Sequence, residues 1–441
     1  MEKVKLYDTT LRDGMQGQGM SLSASEKVRV AHALDRMGVH FIEAGFPASN
    51  PKEAELFELL GEETFEQAEI CAFGMTRRRG VEADRDEALA MLAWSFAPVV
   101  TLVGKTWSRH LEKVTKVSPE ENLAMIEESV AYLTGRGKRV IYDAEHFFDA
   151  WREDPDYSLL CLRAAISGGA VNLSLCDTNG SSLPDQVASA VASVAREFGQ
   201  GVELGIHAHN DAECGVANSL AAVRDGARLV QGTINGYGER CGNANLVSIL
   251  PALQLKMGFD VVDPERMAEL SATSHYIAEL LNVPVDQDQA YVGRNAFAHK
   301  GGMHVAGIAS DSRTFEHLDP EQVGNSRMVL PSELSGKAPV AARAEEIGLE
   351  LDDEAVGRAV EELKKREHEG YHYEAAEASF DLLLRRCAGE YEPLFRLEGF
   401  RVLTEMREDS SVATEATLRI WVDGERHLCV AEGNGPVNAL D

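Results

Sequence analysis

The chain has 441 residues, too many for one ordinary core, and its 44% hydrophobic and 26% charged residues are typical of a globular protein. A formal net charge of −29 disfavours nucleic acids and anionic membrane surfaces as partners, because both would repel it at long range. No apolar stretch is long enough to cross a bilayer, and no signal-peptide core precedes the first strand-like segment, so we expect a cytoplasmic protein. The 7 cysteines are scattered and form no CxxC pair, which argues against a disulfide framework or a thiolate zinc site.

Short β-rich runs alternate with longer amphipathic helical runs through the first part of the chain, in units of roughly 30 residues. This repeat predicts an α/β fold, a closed (β/α)₈ TIM barrel over residues 1–270. An open doubly wound sheet is the alternative, but no GxGxxG motif follows the first strand. The eight predicted strands cover residues 4–7, 40–44, 70–73, 99–103, 139–142, 171–176, 203–207 and 229–233.

Polar and ionisable residues follow most of these strands. In a barrel of this kind the carboxyl ends of the strands meet at one mouth, where catalytic residues lie. So many ionisable strand ends favour a catalytic site over a set of solvated loops. The segments concerned are 8–14 (Asp-Thr-Thr-Leu-Arg-Asp-Gly), Glu43, 143–145 (Asp-Ala-Glu), 177–179 (Asp-Thr-Asn), the two histidines of 207–209 (His-Ala-His), and 235–245.

His207 and His209 indicate a metal site. On a strand, residues i and i+2 project from the same face, so both imidazoles can reach one ion. Asp13 and the amide oxygen of Asn243 could complete a mixed oxygen and nitrogen set suited to Mg²⁺, Mn²⁺ or Zn²⁺. Each of these residues has a structural alternative when taken alone. The two histidines could be a polar pair at a strand end, Asp13 a turn residue before Gly14, and Asn243 a loop cap.

A divalent ion with open positions could chelate a 2-oxo acid and polarise its keto group. Arg12, next to Asp13, would then stabilise negative charge developing on the keto oxygen, and Thr178 would offer a hydroxyl to the substrate carboxylate. The structural alternatives are a salt bridge from Arg12 to Glu43 or Glu145, and a helix cap for Thr178.

Three separated motifs resemble those of the DRE-TIM metallolyases, specifically the family of 2-isopropylmalate, homocitrate and citramalate synthases. They are 8–14, His207-Ala-His209 and 238–244 (Gly-Glu-Arg-Cys-Gly-Asn-Ala), and they occur in the family's order. Three further segments, 142–149, 239–246 and 254–258, are most similar to the longer type of (R)-citramalate synthase.

The resemblance implies a Claisen condensation of acetyl-CoA with pyruvate, giving (R)-citramalate and CoA on a route to isoleucine. It implies that Asp13, His207 and His209 bind the metal with Asn243 nearby or as a further ligand, and that Arg12 and Thr178 contact the oxo acid. The reaction needs a base to deprotonate the acetyl methyl group, and the residues alone leave that base open.

For the base, the family pattern implies Glu145 in the acid/base apparatus and His304 reaching the site from the partner subunit of a homodimer. One residue departs from the pattern, because the segment 314–316 (Thr-Phe-Glu) carries Phe315 where relatives often have a tyrosine. We therefore assign no second catalytic group there.

After the barrel, the pattern predicts helical accessory subdomains over 271–390 and strands over 391–441. In the family, such strands open a regulatory domain that binds an amino-acid end product, so we expect 391–441 to be the beginning of that domain and incomplete. The turn 334–337 (Leu-Ser-Gly-Lys) is weak evidence for nucleotide binding. Arg77-Arg-Arg79 and Lys105 are candidate cations for the phosphates of CoA, with a solvated charge run as the alternative.

Three other functions compete with citramalate synthesis. A 2-isopropylmalate or homocitrate synthase would use a larger 2-oxo acid. An acyl-CoA lyase on the same barrel would have no evident use for the long segment after it, and a non-catalytic metabolite sensor would bind the oxo acid without turnover.

Overall fold

The computed structural model of the protein describes residues 2–47, 49–300, 302–329, 336–373, 376–406 and 408–441. The chain divides into two compact units, Met1–Ala298 with Ser312–Met328, and His299–Asp311 with Val329–Asp441. Leu334 and Ser335 of the predicted Leu-Ser-Gly-Lys turn lie outside the described residues. The three predicted domain ranges stay a prediction.

The first unit contains a closed barrel of eight parallel strands in sequential order, in which the first strand also pairs with the last. This confirms the predicted (β/α)₈ TIM barrel, and the alternative of an open sheet is wrong. The strands are β1 Lys5–Asp8, β2 Phe41–Gly45, β3 Glu69–Met75, β4 Val99–Lys105, β5 Arg139–Glu145, β6 Asn172–Asp177, β7 Glu203–Ala208 and β8 Leu229–Gly232.

At least one α-helix follows each barrel strand before the next strand begins, as a parallel sheet requires. These helices are Ala24–Met37, Pro51–Glu62, Glu87–Trp94, Pro119–Thr134, Phe147–Glu153 with Pro155–Gly168, Pro184–Phe198, Gly215–Arg224 and Leu246–Pro251. Shorter helical turns and the closing helices of this unit are Gly14–Gln16, Ala83–Arg85, Ser108–His110, Leu111–Thr115, Gly199–Gly201, Ile234–Gly236, Ala252–Lys256, Pro264–Met267, Leu270–Leu281, Ser312–Thr314 and Pro320–Val323.

The apolar core of this unit lies between the strands and the inner faces of the helices, and a second, smaller apolar cluster lies inside the barrel. Because Phe41 and Val99 begin their strands, this inner cluster fills the barrel toward the amino ends of the strands. The opposite end is left for polar side chains. The inner cluster consists of Tyr7, Phe41, Cys71, Val99, Ile141 and Leu229.

The second unit combines a helical cluster with a three-stranded antiparallel sheet. Its helices pack around buried residues such as Val340, Leu363 and Phe380. Its helices are Gly302–Ser310, Lys337–Glu346, Asp353–His368, Glu377–Ala388 and Pro436–Leu440; its sheet strands are Arg396–Met406, Val412–Val422 and Glu425–Gly433; two short strands, Ala298–His299 and Met328–Val329, lie where the chain passes from one unit to the other.

Among the described residues, no helix is both long enough and apolar enough to span a lipid bilayer.

His40, just before β2, makes two hydrogen bonds with the backbone of β1. The backbone amide of Leu6 in β1 donates to Nδ1 of His40 at 3.2 Å, and the amide of His40 donates to the carbonyl of Leu6 at 3.1 Å. Burial, with a smaller contribution from Lys3 and Lys5, lowers the pKa of His40 from 6.5 to about 4. The neutral ring is therefore the form that the fold stabilises.

We expect this histidine to make stability depend on pH. Its contribution is complete above the unfolded pKa of about 6.5 and is lost as the pH falls toward about 4, because the unfolded chain then binds a proton that the folded chain does not. Between about pH 7.5 and pH 5 the loss is about 2 kcal/mol. Urea unfolding gives the free energy of unfolding at each pH. Between these two pH values it should fall by that much less in His40→Gln, which cannot take up this proton, than in the wild type. The variant His372→Gln, at an exposed histidine, should follow the wild type. An unchanged pH profile for His40→Gln would contradict this account.

Candidate active site

A cavity of about 310 Å³ opens at the carboxyl ends of the barrel strands. Every predicted site residue of the first unit except Asn243 lines it directly. The described lining residues are Arg12, Asp13, Gln16, Phe73, Met75, Val103, Asp143, Glu145, Cys176, Thr178, His207, His209, Glu239 and Arg240.

Three buried side chains converge in this cavity in the manner of a metal site. The Nε2 atom of His207 lies 3.3 Å from Oδ2 of Asp13 and 3.3 Å from Nε2 of His209, and the Asp13 to His209 separation is 3.9 Å. One donor atom from each residue lies within 4.8 Å of the other two. Two imidazoles and a carboxylate form a donor set suited to a divalent cation. These residues therefore fit the metal that the sequence predicts.

The pKa values of the three residues are shifted in different directions. Burial raises the pKa of Asp13, but the Arg12 guanidinium and the hydrogen bond with His207 outweigh it and hold that pKa well below its usual range. Burial lowers the pKa of His207, yet the adjacent Asp13 carboxylate raises it overall. Burial and the charge of His207 lower the pKa of His209 to about 4. The carboxylate is thus kept ionised, as a metal ligand must be.

Asn243 is placed beside this cluster by the loop after β8. Residues His209 and Asn243 form an isolated antiparallel bridge, and Asn243 is 1% exposed. Its Nδ2 donates to the Tyr237 carbonyl at 3.1 Å, while its Oδ1 is buried without a hydrogen-bond partner among the described residues. A buried amide oxygen left in this way is costly unless a ligand satisfies it, which also fits a cation at this position.

Two glycines allow this loop to close. Gly238 has φ +154, and a Cβ there would lie 2.2 Å from Nδ2 of Asn243. Gly242 has φ +84, and a Cβ there would lie 2.0 Å from the carbonyl oxygen of Gly236. A side chain at Gly238 would displace the Asn243 amide, and one at Gly242 would displace the Gly236 carbonyl, which accepts from the backbone amide of Asn243 at 3.1 Å.

Arg12 is held at the cavity wall by a buried carboxylate. Its Nε donates to Oε1 of Glu43 at 2.5 Å, and its guanidinium lies 4.0 Å from the centre of the Phe73 ring. Tyr7 donates to the other oxygen of Glu43 at 2.7 Å. Of the two salt bridges that the sequence offered for Arg12, the structure therefore forms the one to Glu43, and the guanidinium still faces Asp13 at 3.5 Å.

Glu145 ends β5 and forms an ion pair with Lys105, which ends the neighbouring strand β4. Lys105 is therefore paired with a carboxylate. Of the three candidate arginines, Arg77 is buried and bonded to Glu121 and Glu128. Arg78 pairs with Asp86, and Arg79 donates to the Lys116 carbonyl.

Thr178 is half-buried and held by two neighbouring loops. Its Oγ1 accepts from the backbone amide of His146 at 2.9 Å, and its carbonyl accepts from Nη2 of Arg240 at 2.7 Å. His146 adopts a left-handed backbone, with φ +56, and its ring lies 3.2 Å from Asp149. Among the described residues Oγ1 only accepts, so its own hydrogen is available to donate elsewhere.

His304 belongs to the second unit, where it is an exposed residue of the helix Gly302–Ser310. Its ring centre lies 6.3 Å from that of His299. Phe315 belongs to the first unit and is 39% exposed. The catalytic role expected of His304 stays a prediction.

The sequence assigned no role to three residues of the site: Gln231, Arg240, and Asp143, which it placed only among the ionisable strand ends. Gln231 is a fully buried polar residue in the middle of β8 and contacts His207, and Asp143 contacts Gln231. Arg240 joins three loops. A glutamine inside an otherwise apolar strand was a signal for the first, whereas nothing in the sequence distinguishes Arg240 from a solvated loop arginine.

Comparison with known proteins agrees with this geometry. The sequence profile described as HMGL-like matches residues 3–274, and one described as homocitrate synthase post-HMGL domain-like matches residues 291–370. The chain belongs to the HMGL-like family, which confirms the predicted resemblance.

Within this family, the chain is similar along its whole length to individual (R)-citramalate synthases. The chain is 47% identical to an (R)-citramalate synthase of Geobacter sulfurreducens over 444 residues, which cover 100% of this chain and 84% of that protein. It is also 47% identical to an (R)-citramalate synthase of Synechocystis, with 99% and 82% covered. Among solved structures, an HMG-CoA lyase of Bacillus subtilis matches with a TM-score of 0.56 and 19% identity over 67% of this chain and 97% of that chain, which shows a shared fold.

We expect Arg240 to hold the loop after β8 against the loops after β6 and β7. It contacts Asp211 through Nε at 2.8 Å and Nη2 at 3.0 Å in addition to the Thr178 carbonyl. In Arg240→Lys the charge stays but the two-pronged contact is lost, at a cost of about 1.5–3 kcal/mol for a charged hydrogen bond. Hydrogen exchange in peptides covering 178–182 and 238–243 should then become about tenfold faster or more. Arg224→Lys, which replaces an exposed arginine whose partner among the described residues is the adjacent Asp225, should leave those peptides unchanged; equal exchange in both variants would contradict the assignment.

Proposed function

We propose that the protein condenses acetyl-CoA with pyruvate, with the help of a divalent metal, to give (R)-citramalate and CoA. The observation that carries this proposal is the 47% identity to (R)-citramalate synthases along the whole chain. The buried Asp13, His207 and His209 cluster at the barrel mouth supports it, because it offers the metal site that such a reaction uses. The place of this product on a route to isoleucine is part of the same proposal.

In this proposal Asp13, His207 and His209 hold the cation, and the oxygen of Asn243 faces it. Mn²⁺, Mg²⁺ and Zn²⁺ all suit this donor set. Bound there, the cation would act as a Lewis acid on the 2-oxo acid and neutralise part of its charge.

Arg12 and Thr178 bind the oxo acid in this proposal. Arg12 stays charged at any working pH, and its contact with Glu43 fixes its direction at the cavity wall, so it can stabilise negative charge on the keto oxygen during attack. The Thr178 hydroxyl accepts from the amide of His146 through one lone pair, and its hydrogen can still donate to the substrate carboxylate.

The proton transfers fall to Glu145 and His304. One group removes a proton from the acetyl methyl, and the resulting enolate attacks the keto carbon; water then cleaves the thioester, so that CoA leaves and citramalate is released. Glu145 lies at the cavity with its charge balanced by Lys105. His304 would come from the partner subunit of a homodimer, and Phe315 has no group to transfer a proton.

The competing functions differ in what they consume. A 2-isopropylmalate or homocitrate synthase would prefer a larger oxo acid, a lyase would cleave a hydroxyacyl-CoA, and a sensor would turn over nothing. A cytoplasmic location and a regulatory domain over 391–441 stay predictions from the sequence.

The direct test follows thiol release from acetyl-CoA in the presence of Mn²⁺ or Mg²⁺ with a panel of 2-oxo acids. We expect pyruvate to give the fastest release, and we expect a chelator to abolish it, because the oxo acid is bound through the metal site. Faster release with 2-oxoisovalerate or 2-oxoglutarate would assign another synthase, and no release with any oxo acid would exclude a synthase.

The role of His304 can be tested by mixing subunits. His304→Ala and His207→Ala should each be inactive alone. If His304 serves the partner's barrel, a mixed dimer has one complete site, and co-expression of the two chains should restore about a quarter of the wild-type activity, since about half of the dimers are mixed and each has one working site of two. Activity of His304→Ala alone, or no recovery on mixing, would contradict the shared site.

A further inference from the structure

A row of buried polar side chains runs through the barrel interior from Glu203 to His207. Its middle members are Asn172, Ser174 and Gln231, which are between 0% and 1% exposed. Burying polar groups in this way costs free energy unless each finds a partner. None of the three touches the cavity, so the reaction itself gives no reason for them.

At the Glu203 end of this row, the identity of the hydrogen-bond donor and acceptor is fixed. Nδ2 of Asn172 lies 3.2 Å from Oε1 of Glu203, and an ionised carboxylate can only accept, so the amide nitrogen donates. The Oδ1 atom of Asn172 is thereby turned toward Ser174, whose Oγ donates to it at 2.9 Å. The Ser174 oxygen then has lone pairs left to accept.

Gln231 continues the same direction. Its Nε2 donates to Oγ of Ser174 at 3.0 Å and to Oδ1 of Asp143 at 2.8 Å. Two acceptors therefore hold the amide nitrogen on that side. The Oε1 atom of Gln231 must face the other way, where it lies 2.8 Å from Nδ1 of His207.

This direction decides the protonated nitrogen of His207. An amide oxygen can only accept, so Nδ1 carries the hydrogen. In the neutral imidazole that a metal requires, Nε2 then keeps its lone pair and faces Asp13 and His209 at the metal site. By contrast, Nδ1 of His209 is buried with no hydrogen-bond partner among the described residues, so no comparable contact orients that ring.

We propose that Gln231 is a positioning residue that holds His207 with its proton on Nδ1 and its Nε2 lone pair directed at the cation. This inference rests on the metal site of the proposed function and adds to it the residue that prepares one ligand. The partner of a metal-bound histidine fixes both its ring orientation and its basicity, and losing such a partner typically weakens metal binding about 10–100-fold.

The test is zinc binding to the full chain, measured calorimetrically. Gln231→Met keeps the length of the side chain without an acceptor, and we expect it to weaken zinc binding about 10–100-fold. Gln231→Glu keeps an acceptor facing Nδ1, and a proton shared between its other oxygen and Asp143 takes the place of the lost amide donor. We therefore expect it to bind zinc at least as tightly as the wild type. Ser158→Ala, a buried hydroxyl on the outer helix Pro155–Gly168, is the control and should bind as the wild type does.

A second measurement reads the proton itself. In the zinc-loaded chain with ¹⁵N-labelled histidine, the wild type and Gln231→Glu should show the His207 proton on Nδ1 and the metal on Nε2, and Gln231→Met should lose protection of that proton from exchange. If Gln231→Met does not fold, Ser174→Ala removes one of the two acceptors that orient Gln231 and should show a smaller loss of affinity in the same direction.

Two results would overturn the inference: zinc affinity unchanged in Gln231→Met, or an equal loss in Gln231→Met and Gln231→Glu, which would mean that Gln231 matters only for packing. Neither readout depends on the reaction. A chain that formed no citramalate but showed these zinc affinities would refute the proposed function alone, and an active synthase indifferent to Gln231→Met would refute this inference alone.

Discussion

The pairing of β1 with β8 is the constraint on which the site depends, because it brings the two ends of the barrel sequence together. The ladder runs from Lys5 opposite Leu229 to Asp8 opposite Gly232. It continues beyond the strands, where the amide of Thr9 donates to the Gly232 carbonyl at 2.8 Å. The loop that carries Arg12 and Asp13 is thereby fixed beside the loop that carries Asn243, which no local sequence preference could achieve.

A buried aspartate secures this closure. The Asp8 carboxylate accepts from the amide and the hydroxyl of Thr10, and the same hydroxyl accepts from the amide of Ile234 beyond β8. Burial raises the pKa of Asp8 to about 7 despite these hydrogen bonds. Buried polar groups thus connect separate segments of the barrel. Glu43 of β2 does so too, because it accepts from Tyr7 of β1 and from Arg12 in the loop after β1.

Features with a regular spacing along the chain could be predicted from the sequence. Contacts that depend on how the strands are aligned in three dimensions could not. His207 and His209 were found because a strand has a period of two, and the strands were found because apolar runs recur. The predicted fifth strand ended at residue 142, whereas β5 continues to Glu145 because Lys105 of β4 still pairs with it. The two acceptors of the Gln231 amide nitrogen lie on β5 and β6 across the barrel interior. The stagger of a closed barrel brings them together and cannot be recognised in a single sequence.

The charges around the cavity explain why this site needs a cation. The described residues that line it include four carboxylates and only two guanidiniums, those of Arg12 and Arg240, and each guanidinium is already paired with a carboxylate. With a net charge of −29 on the whole chain, an anionic oxo acid would meet a negative field at the mouth. A divalent ion held by two neutral imidazoles and one carboxylate would neutralise this excess, because its two positive charges offset the difference between four carboxylates and two guanidiniums. In the proposed function, binding of the oxo acid would therefore depend on loading of the metal, for which the Nε2 lone pair of His207 has to face the cation.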